Sequence, residues 1–393
     1  MKQLRSALLA LLLTLSLAVP AAAEELAVDA QACLLMEKAT GEVLYAVNEH
    51  EQLEPASVTK VMTLLLVMEA IDSGALGYDD VVTASAYACS MGGSQIWLKE
   101  NEQMTVEEML KAVCVASAND ASVALAEHIA GSAEAFVEKM NQRAAELGME
   151  DTHFVNPTGL PAEGHVTSAY DIALMSRELI LHHPDIRRFT TIWMDTLRDG
   201  EFGLSNTNKL IRYYEGATGL KTGSTDSALY CLSATAEREG MELIAVILKS
   251  PTSTQRFESA KVLLNYGFAA YDLAEVEPEE PLTAIPVRLG TAASVTVEME
   301  GEEKLLVTKD KIGTMEVQTQ LETELAAPVE KGQQVGTLTV TSGEEILAQL
   351  PLVAGETVER LSYRQIFLRC LRMAFLGGRQ APFCAERRVL PCL

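Results

Sequence analysis

ALYCLSATAEREGMELIAVILK, residues 228–249, is the stretch that decides the fold. Its apolar halves, ALYCLSATA and MELIAVILK, flank the polar EREG and read as a β-hairpin. A second such pair lies upstream, ACLLME (32–37) and EVLYAV (42–47), joined by KATG. Between the hairpins the period is helical. VMTLLLVMEAI (61–71) is apolar on every face and bounded by Lys60 and Gly74, as a helix buried at a domain centre would be. TVEEMLKAV opens with Thr105 and Glu108 at capping-box spacing and carries Val106, Met109, Leu110 and Val113 at helical period. DASVALAEHIAG (120–131) follows as another helix, with Asp120 expected as its N-cap and Gly131 as its stop. Hairpins at both ends with helices between them predict an α+β domain, one antiparallel sheet with helices packed on it.

The chain has 393 residues, 48% of them hydrophobic and 22% charged, which predicts two domains. MKQLRSALLALLLTLSLAVPAAAEE begins with Lys2 and Arg5, runs apolar, and ends in small residues before acids. It reads as an export signal, residues 1–23, cut after Ala23, with no cysteine there for lipid attachment. No later stretch has eighteen uninterrupted apolar residues, so no second span is expected. The net charge of -24 argues against a nucleic-acid partner, because phosphates need clustered Lys and Arg. Seven scattered cysteines without C-x-x-C spacing suit neither a zinc site nor a disulfide framework, and Cys33, Cys114 and Cys231 are expected as buried thiols. Six histidines include no H-E-x-x-H. No metal and no cofactor are expected.

From about residue 277 the composition changes. Short alternating runs, SVTVEME (294–300), KLLVT (304–308) and GTLTV (336–340), are separated by Gly and acidic turns. They predict a small all-β sandwich over residues 276–361. YRQIFLRCLRMAFLGG (363–378) then turns basic. On a helical wheel Phe367, Leu368, Cys370, Leu371, Ala374 and Phe375 form one arc, with Gln365, Arg369 and Arg372 opposite. That pattern suits a helix over 362–378 lying in a membrane surface, and the plainer alternative is a helix packed on its own domain. Residues 379–393 show no period.

Three short motifs could carry chemistry. In EPASVTK (54–60), Ser57 and Lys60 are three apart, neighbours on the first turn of a helix. A serine hydroxyl is a poor nucleophile until a base removes its proton. Lysine is that base only when neutral, which takes burial or a nearby cation; the apolar helix after Lys60 offers the burial. The same serine is also an ordinary helix cap. In ASANDAS (116–122), Ser117 and Asn119 share one side of an extended link between two helices, and both can donate and accept hydrogen bonds. In TGLKTGST (218–225), Lys221 could be the second cation and, with Thr222, hold a carboxylate. Gly223 leaves room for a peptide along an edge strand. Each motif alone has a plain structural reading as a cap or a turn.

Their order is more specific. S-x-x-K, then S-x-N about sixty residues on, then K-T-G about a hundred further, is the order found in penicillin-binding proteins and class A β-lactamases, here with Ala118 inside S-x-N. PASVTKVMT, SMGGSQIWLKENEQMTVEEML, VASANDAS, FVNPTGL and TGLKTGST resemble segments of the serine D-Ala-D-Ala carboxypeptidases, the low-molecular-mass penicillin-binding proteins. The resemblance covers about residues 27 to 273, and the β domain and amphipathic helix resemble that family's C-terminal architecture. It implies a β-lactamase/transpeptidase-like fold over residues 24–275 and acyl transfer from a peptidoglycan stem peptide ending in D-Ala-D-Ala. Ser57 would be the nucleophile, Lys60 its base and Ser117 the proton relay. Asn119 would orient the acyl chain, and Lys221 and Thr222 would bind the terminal carboxylate. Ser57 and Ser224 would supply oxyanion-hole N–H groups. β-Lactams would acylate the same serine, and the enzyme would work at the outer face of the cytoplasmic membrane.

The rivals are a β-lactamase, a DD-endopeptidase and a non-catalytic wall-binding or β-lactam-sensing protein. Class A β-lactamases carry E-x-x-L-N between the second and third motifs, and residues 120–220 contain no such string.

Overall fold

The computed structural model describes residues 26–301 and 304–375, with side chains up to residue 371. The expected signal (1–23), residues 376–378 and the tail (379–393) lie outside the described residues. The chain divides into two compact units, Met1–Ala270 and Tyr271–Leu393.

In the first unit both hairpins join one five-stranded sheet. Strand Met241–Ser250 lies at its centre, hydrogen-bonded to Ala32–Glu37 on one side and Leu229–Arg238 on the other. Val43–Val47 and Ala217–Thr225 form the edges, and every pairing is antiparallel. All of Met241–Ser250 except Lys249 is buried, so both faces of the sheet are covered. Successive side chains point to opposite faces. Leu34, Met36, Ile244, Val246 and Leu248 face a helical core with Val61, Met62, Leu65, Leu110 and Leu125. Leu35 and Leu243 face helix Ser253–Ala270, whose Gly267 sits so close that an added Cβ would lie 2.5 Å from the Leu243 side chain. The run VMTLLLVMEAI is apolar all round because helix Lys60–Asp72 passes through the interior. The Thr105–Glu108 capping box forms and starts helix Val106–Ala116.

Helix Asn119–Ala130 differs from expectation at its start. Its N-cap is Ala118, without a side-chain bond, and Asp120 lies inside the first turn. The Asp120 carboxylate is fully buried and accepts N–H bonds from Ile96 (3.2 Å), Leu98 (3.0 Å) and Ala121 (2.9 Å). Gathering the backbone of another loop outweighs capping its own helix, because buried N–H groups must be paired and a carboxylate accepts several. Gly131 ends the helix in the left-handed conformation, as expected.

Among its described residues, the second unit is all-β apart from helices Lys309–Ile312 and Tyr363–Phe375. Sheets of two, three and four strands enclose small apolar clusters around Val295 and Val329 and around Leu338 and Leu352. SVTVEME is two strands rather than one. Ser294–Val295 pairs with Ile285–Arg288 and Val297–Met299 with Glu345–Ala354, so the chain changes sheets at Thr296. Helix Tyr363–Phe375 exposes Tyr363, Phe367, Leu368 and Leu371. No described helix is long and apolar enough to cross a membrane. Cys33, Cys114 and Cys231 are buried free thiols, Cys89 is half-buried and Cys370 exposed.

Candidate active site

The three motifs meet in the first unit, through Ser57, Lys60 and Asn119 and through Gly223 beside the serine turn. Ser57 lies in the 3-10 turn Ala56–Thr59, which runs directly into helix Lys60–Asp72. From Pro55 to Lys60 it is the one residue that is not buried. Ala56, just before it, has φ 48, a left-handed conformation that costs a non-glycine residue about 1–3 kcal/mol. The neighbouring loop holds that turn in place. The Ala56 carbonyl packs on Gly159, whose φ is +81 and where an added Cβ would lie 1.8 Å from Ala56 O and 2.8 Å from Thr59 Oγ1. Asn156 shapes the loop, its Oδ1 accepting from Thr158 N, Thr158 Oγ1 and Gly159 N.

Lys60 is completely buried. Its Nζ lies 3.0 Å from Ser57 Oγ, 2.5 Å from Asn119 Oδ1 and 2.7 Å from the Thr158 carbonyl. Asn119 Nδ2 donates to Gly92 O (2.7 Å), which fixes the amide so that its oxygen faces the lysine. Burial holds the Lys60 pKa well below 10.5; the charge on Lys221 lowers it further, and Asp120 opposes both. Ser117 ends helix Val106–Ala116 in a left-handed conformation (φ 62), is almost fully buried, and is separated from Asn119 only by the extended Ala118.

Lys221, Thr222, Gly223 and Ser224 lie on edge strand Ala217–Thr225, one side of which pairs with Leu229–Arg238. Burial takes the Lys221 pKa down to about 7, and the charge on Arg256 lowers it too. Burial also pushes the Cys114 thiol up to about 12, so at neutral pH it is uncharged and offers Lys221 no counter-charge. Glycine at 223 has a steric reason in the fold. A Cβ there would meet Pro55 O at 2.6 Å and the backbone nitrogens of Ser57 and Val58 at 2.9 Å. Only a residue without a side chain lets the strand approach the serine turn this closely. Ser224 is exposed at the outer end of the motif.

Several contributors carry no motif of their own. The Thr158 carbonyl is a backbone acceptor that only the turn sequence NPTGL could have hinted at. Arg256, six per cent exposed, donates from Nη1 to the carbonyls of Gly223 (3.1 Å) and Cys231 (3.2 Å), bracing the K-T-G strand from helix Ser253–Ala270. Burial lowers its pKa to about 10. His165 Nδ1 accepts from Val155 N (3.0 Å), so its Nε2 bears the hydrogen donated to Thr59 Oγ1 (2.8 Å). Burial lowers the pKa of this ring to about 4, which keeps it neutral at pH 7.

A partly exposed serine beside a buried amine, faced by a lysine-bearing edge strand, is an arrangement suited to acyl transfer. The family model described as D-alanyl-D-alanine carboxypeptidase matches residues 19–252, and that of the penicillin-binding protein 5 C-terminal domain matches residues 276–360. The chain belongs to the D-alanyl-D-alanine carboxypeptidase family. It is 41% identical over 375 residues to the Bacillus subtilis D-alanyl-D-alanine carboxypeptidase DacF, covering 92% of this chain and 96% of that protein. Among solved structures, penicillin-binding protein 5 from Haemophilus influenzae superposes with a TM-score of 0.77 at 30% identity, over 85% of this chain and 98% of that one. Penicillin-binding protein D2 from Listeria monocytogenes, solved in the ampicillin-bound form, matches at TM-score 0.57 and 33% identity, over 62% of this chain and 99% of that one.

The Gly159 contact is testable against a matched control. Gly164 has a similar φ of +78 but nothing within 4 Å of an added Cβ. Gly164→Ala should cost about 1 kcal/mol in urea unfolding. Gly159→Ala should cost about 3 kcal/mol or more, because the serine turn must move. Equal costs for the two variants would show that the loop does not hold the turn.

Proposed function

We propose that this protein is a serine-type carboxypeptidase that removes the terminal D-alanine from peptidoglycan stem peptides ending in D-Ala-D-Ala. The observation that carries the reading is the set of partners of the Lys60 amine. Asn119 Oδ1 and the Thr158 carbonyl can only accept hydrogen bonds, so a neutral amine spends its two N–H groups on them. Its lone pair is left for Ser57, the one partner with a hydrogen to give.

In the proposed reaction Lys60 takes the Ser57 proton as Oγ attacks the carbonyl carbon between the two D-alanines. Backbone N–H groups of Ser57 and Ser224 stabilise the oxyanion. The N–H of Ser57 suits this role because the first N–H groups of a helix lack intrahelical acceptors and sit at its positive end. Ser117 passes the proton to the leaving D-alanine nitrogen, and Asn119 orients the acyl chain and Lys60. Lys221 and Thr222 bind the terminal carboxylate. Gly223 lets the strand that carries them reach the serine. Water then hydrolyses the ester and frees Ser57. β-Lactams acylate the same oxygen, a reading supported by the ampicillin-bound relative.

We further assign this chemistry to residues 24–275, with residues 276–361 as a small β-sandwich domain. Residues 1–23 direct export, and the helix at 362–378 rests on the outer face of the cytoplasmic membrane. The exposed Phe367, Leu368 and Leu371 support that last assignment.

Incubation with a peptide ending in D-Ala-D-Ala should release free D-alanine, and a fluorescent penicillin should label the wild-type protein but not Ser57→Ala. Labelling that survives the substitution refutes Ser57 as nucleophile. Labelling without D-alanine release refutes the carboxypeptidase in favour of an endopeptidase or a sensor, and rapid penicillin turnover points to a β-lactamase. Deleting residues 363–393 should free the protein from membranes; unchanged membrane association refutes the anchor.

A further inference from the structure

Asn206, Thr207 and Asn208 follow strand Phe202–Ser205 and belong to none of the three motifs. Their side chains alternate. Asn206 and Asn208 are buried, and Thr207 between them is exposed. Asn206 Nδ2 donates to the carbonyls of Ile192 (2.7 Å) and Thr190 (3.3 Å), and its Oδ1 accepts from Asn208 N (2.8 Å). Asn208 Nδ2 donates to Gly219 O (2.8 Å) on the K-T-G strand, and its Oδ1 accepts from Leu210 N (3.1 Å). Both amides are thus pinned to backbone at each end, which fixes the residue between them.

Thr207 makes two links from that fixed place. Its N–H donates to the carbonyl of Val115 (3.2 Å), in the last turn of the helix that Ser117 closes. Its Oγ1 lies 2.7 Å from Thr222 Oγ1. One residue therefore touches both the helix end leading to Ser117 and the strand carrying Lys221 and Thr222.

We propose that Thr207 is a positioning residue for the substrate carboxylate, acting through the Thr222 hydroxyl. This rests on the reading of Thr222 as a carboxylate ligand. A hydroxyl has one hydrogen. If Thr222 gave its hydrogen to Thr207, only lone pairs would face the anion. When Thr207 is the donor, its O–H satisfies Thr222 Oγ1 and frees the Thr222 hydrogen to point at the carboxylate. A donor that is itself hydrogen-bonded at oxygen is also polarised into a stronger one. The Asn206 and Asn208 clamps keep Thr207 from turning away.

The test compares Ser57 acylation by benzylpenicillin, which has a free carboxylate, with acylation by its methyl ester, followed by intact mass. Thr207→Val should lower the second-order rate constant for the acid roughly tenfold, the scale of one neutral hydrogen bond, and leave the ester within about twofold. Thr207→Ser, which keeps the hydroxyl, should restore the acid rate. Thr207→Ala carries the same test if the valine variant melts early. Equal loss on acid and ester, or no loss on either, overturns the proposal. Thr222→Val is run in parallel. If it lowers the acid rate selectively and Thr207→Val does not, only the role of Thr207 fails. If Thr222→Val leaves the acid-to-ester ratio unchanged, the reading of Thr222 as a carboxylate ligand fails, and the proposal with it.

Discussion

The site depends on one constraint, the burial of the Lys60 amine. An isolated ammonium taken out of water carries a desolvation penalty of several kcal/mol, and a lysine escapes most of it by losing its proton. Lys60 has no exposed surface, and its pKa is drawn down by that burial and by Lys221. Once neutral, its surroundings decide where its lone pair points. Two partners are oxygens without hydrogens and the third is a hydroxyl, an arrangement that in the proposed reaction leaves the lone pair of a neutral amine for Ser57.

That arrangement needs three elements to meet at backbone distance. The serine turn is pressed from one side by Gly159 and from the other by Gly223, both places where a methyl group would collide with main chain. The Asp120 carboxylate collects the backbone of residues 96–98 onto the helix that begins with Asn119, while the Asn119 N–H donates to Ser94 O (2.7 Å). The left-handed Ala56 and Ser117 sit at the two junctions. Strain of this kind persists where the surroundings over-determine it, here a sheet buried on both faces and an apolar helix through the domain centre.

Much of this was legible in the sequence, for identifiable reasons. The hairpins and the buried helix announced themselves by period, and the three motifs by residue type and order. The Asp120 cap was misjudged because a carboxylate at a helix start has two good uses, and the chosen one depends on a loop more than twenty residues earlier. Glycine at 223 stands out in the sequence, while its contact with residues 55–58 is one that no local pattern encodes. The Thr158 carbonyl and the Val115 carbonyl were invisible, since every residue has a carbonyl and only the fold selects one. SVTVEME alternates correctly for a strand, yet alternation cannot say that the chain changes sheets at Thr296. The Asn-Thr-Asn segment resembled any polar loop until its partners were in view.

The most direct test of the central claim is the pH dependence of Ser57 acylation by a β-lactam, read by intact mass in the wild type and in Lys221→Met. In the proposed reaction Lys60 is the base and works only when unprotonated, so the rate should rise with pH through its pKa. That ascending limb should have its midpoint well below 10.5, because burial and the Lys221 charge both disfavour the protonated form. Removing the Lys221 charge removes one of those causes, so the midpoint should move to higher pH. A wild-type midpoint near 10.5, or a midpoint unmoved by Lys221→Met, would contradict a buried lysine held neutral by its surroundings.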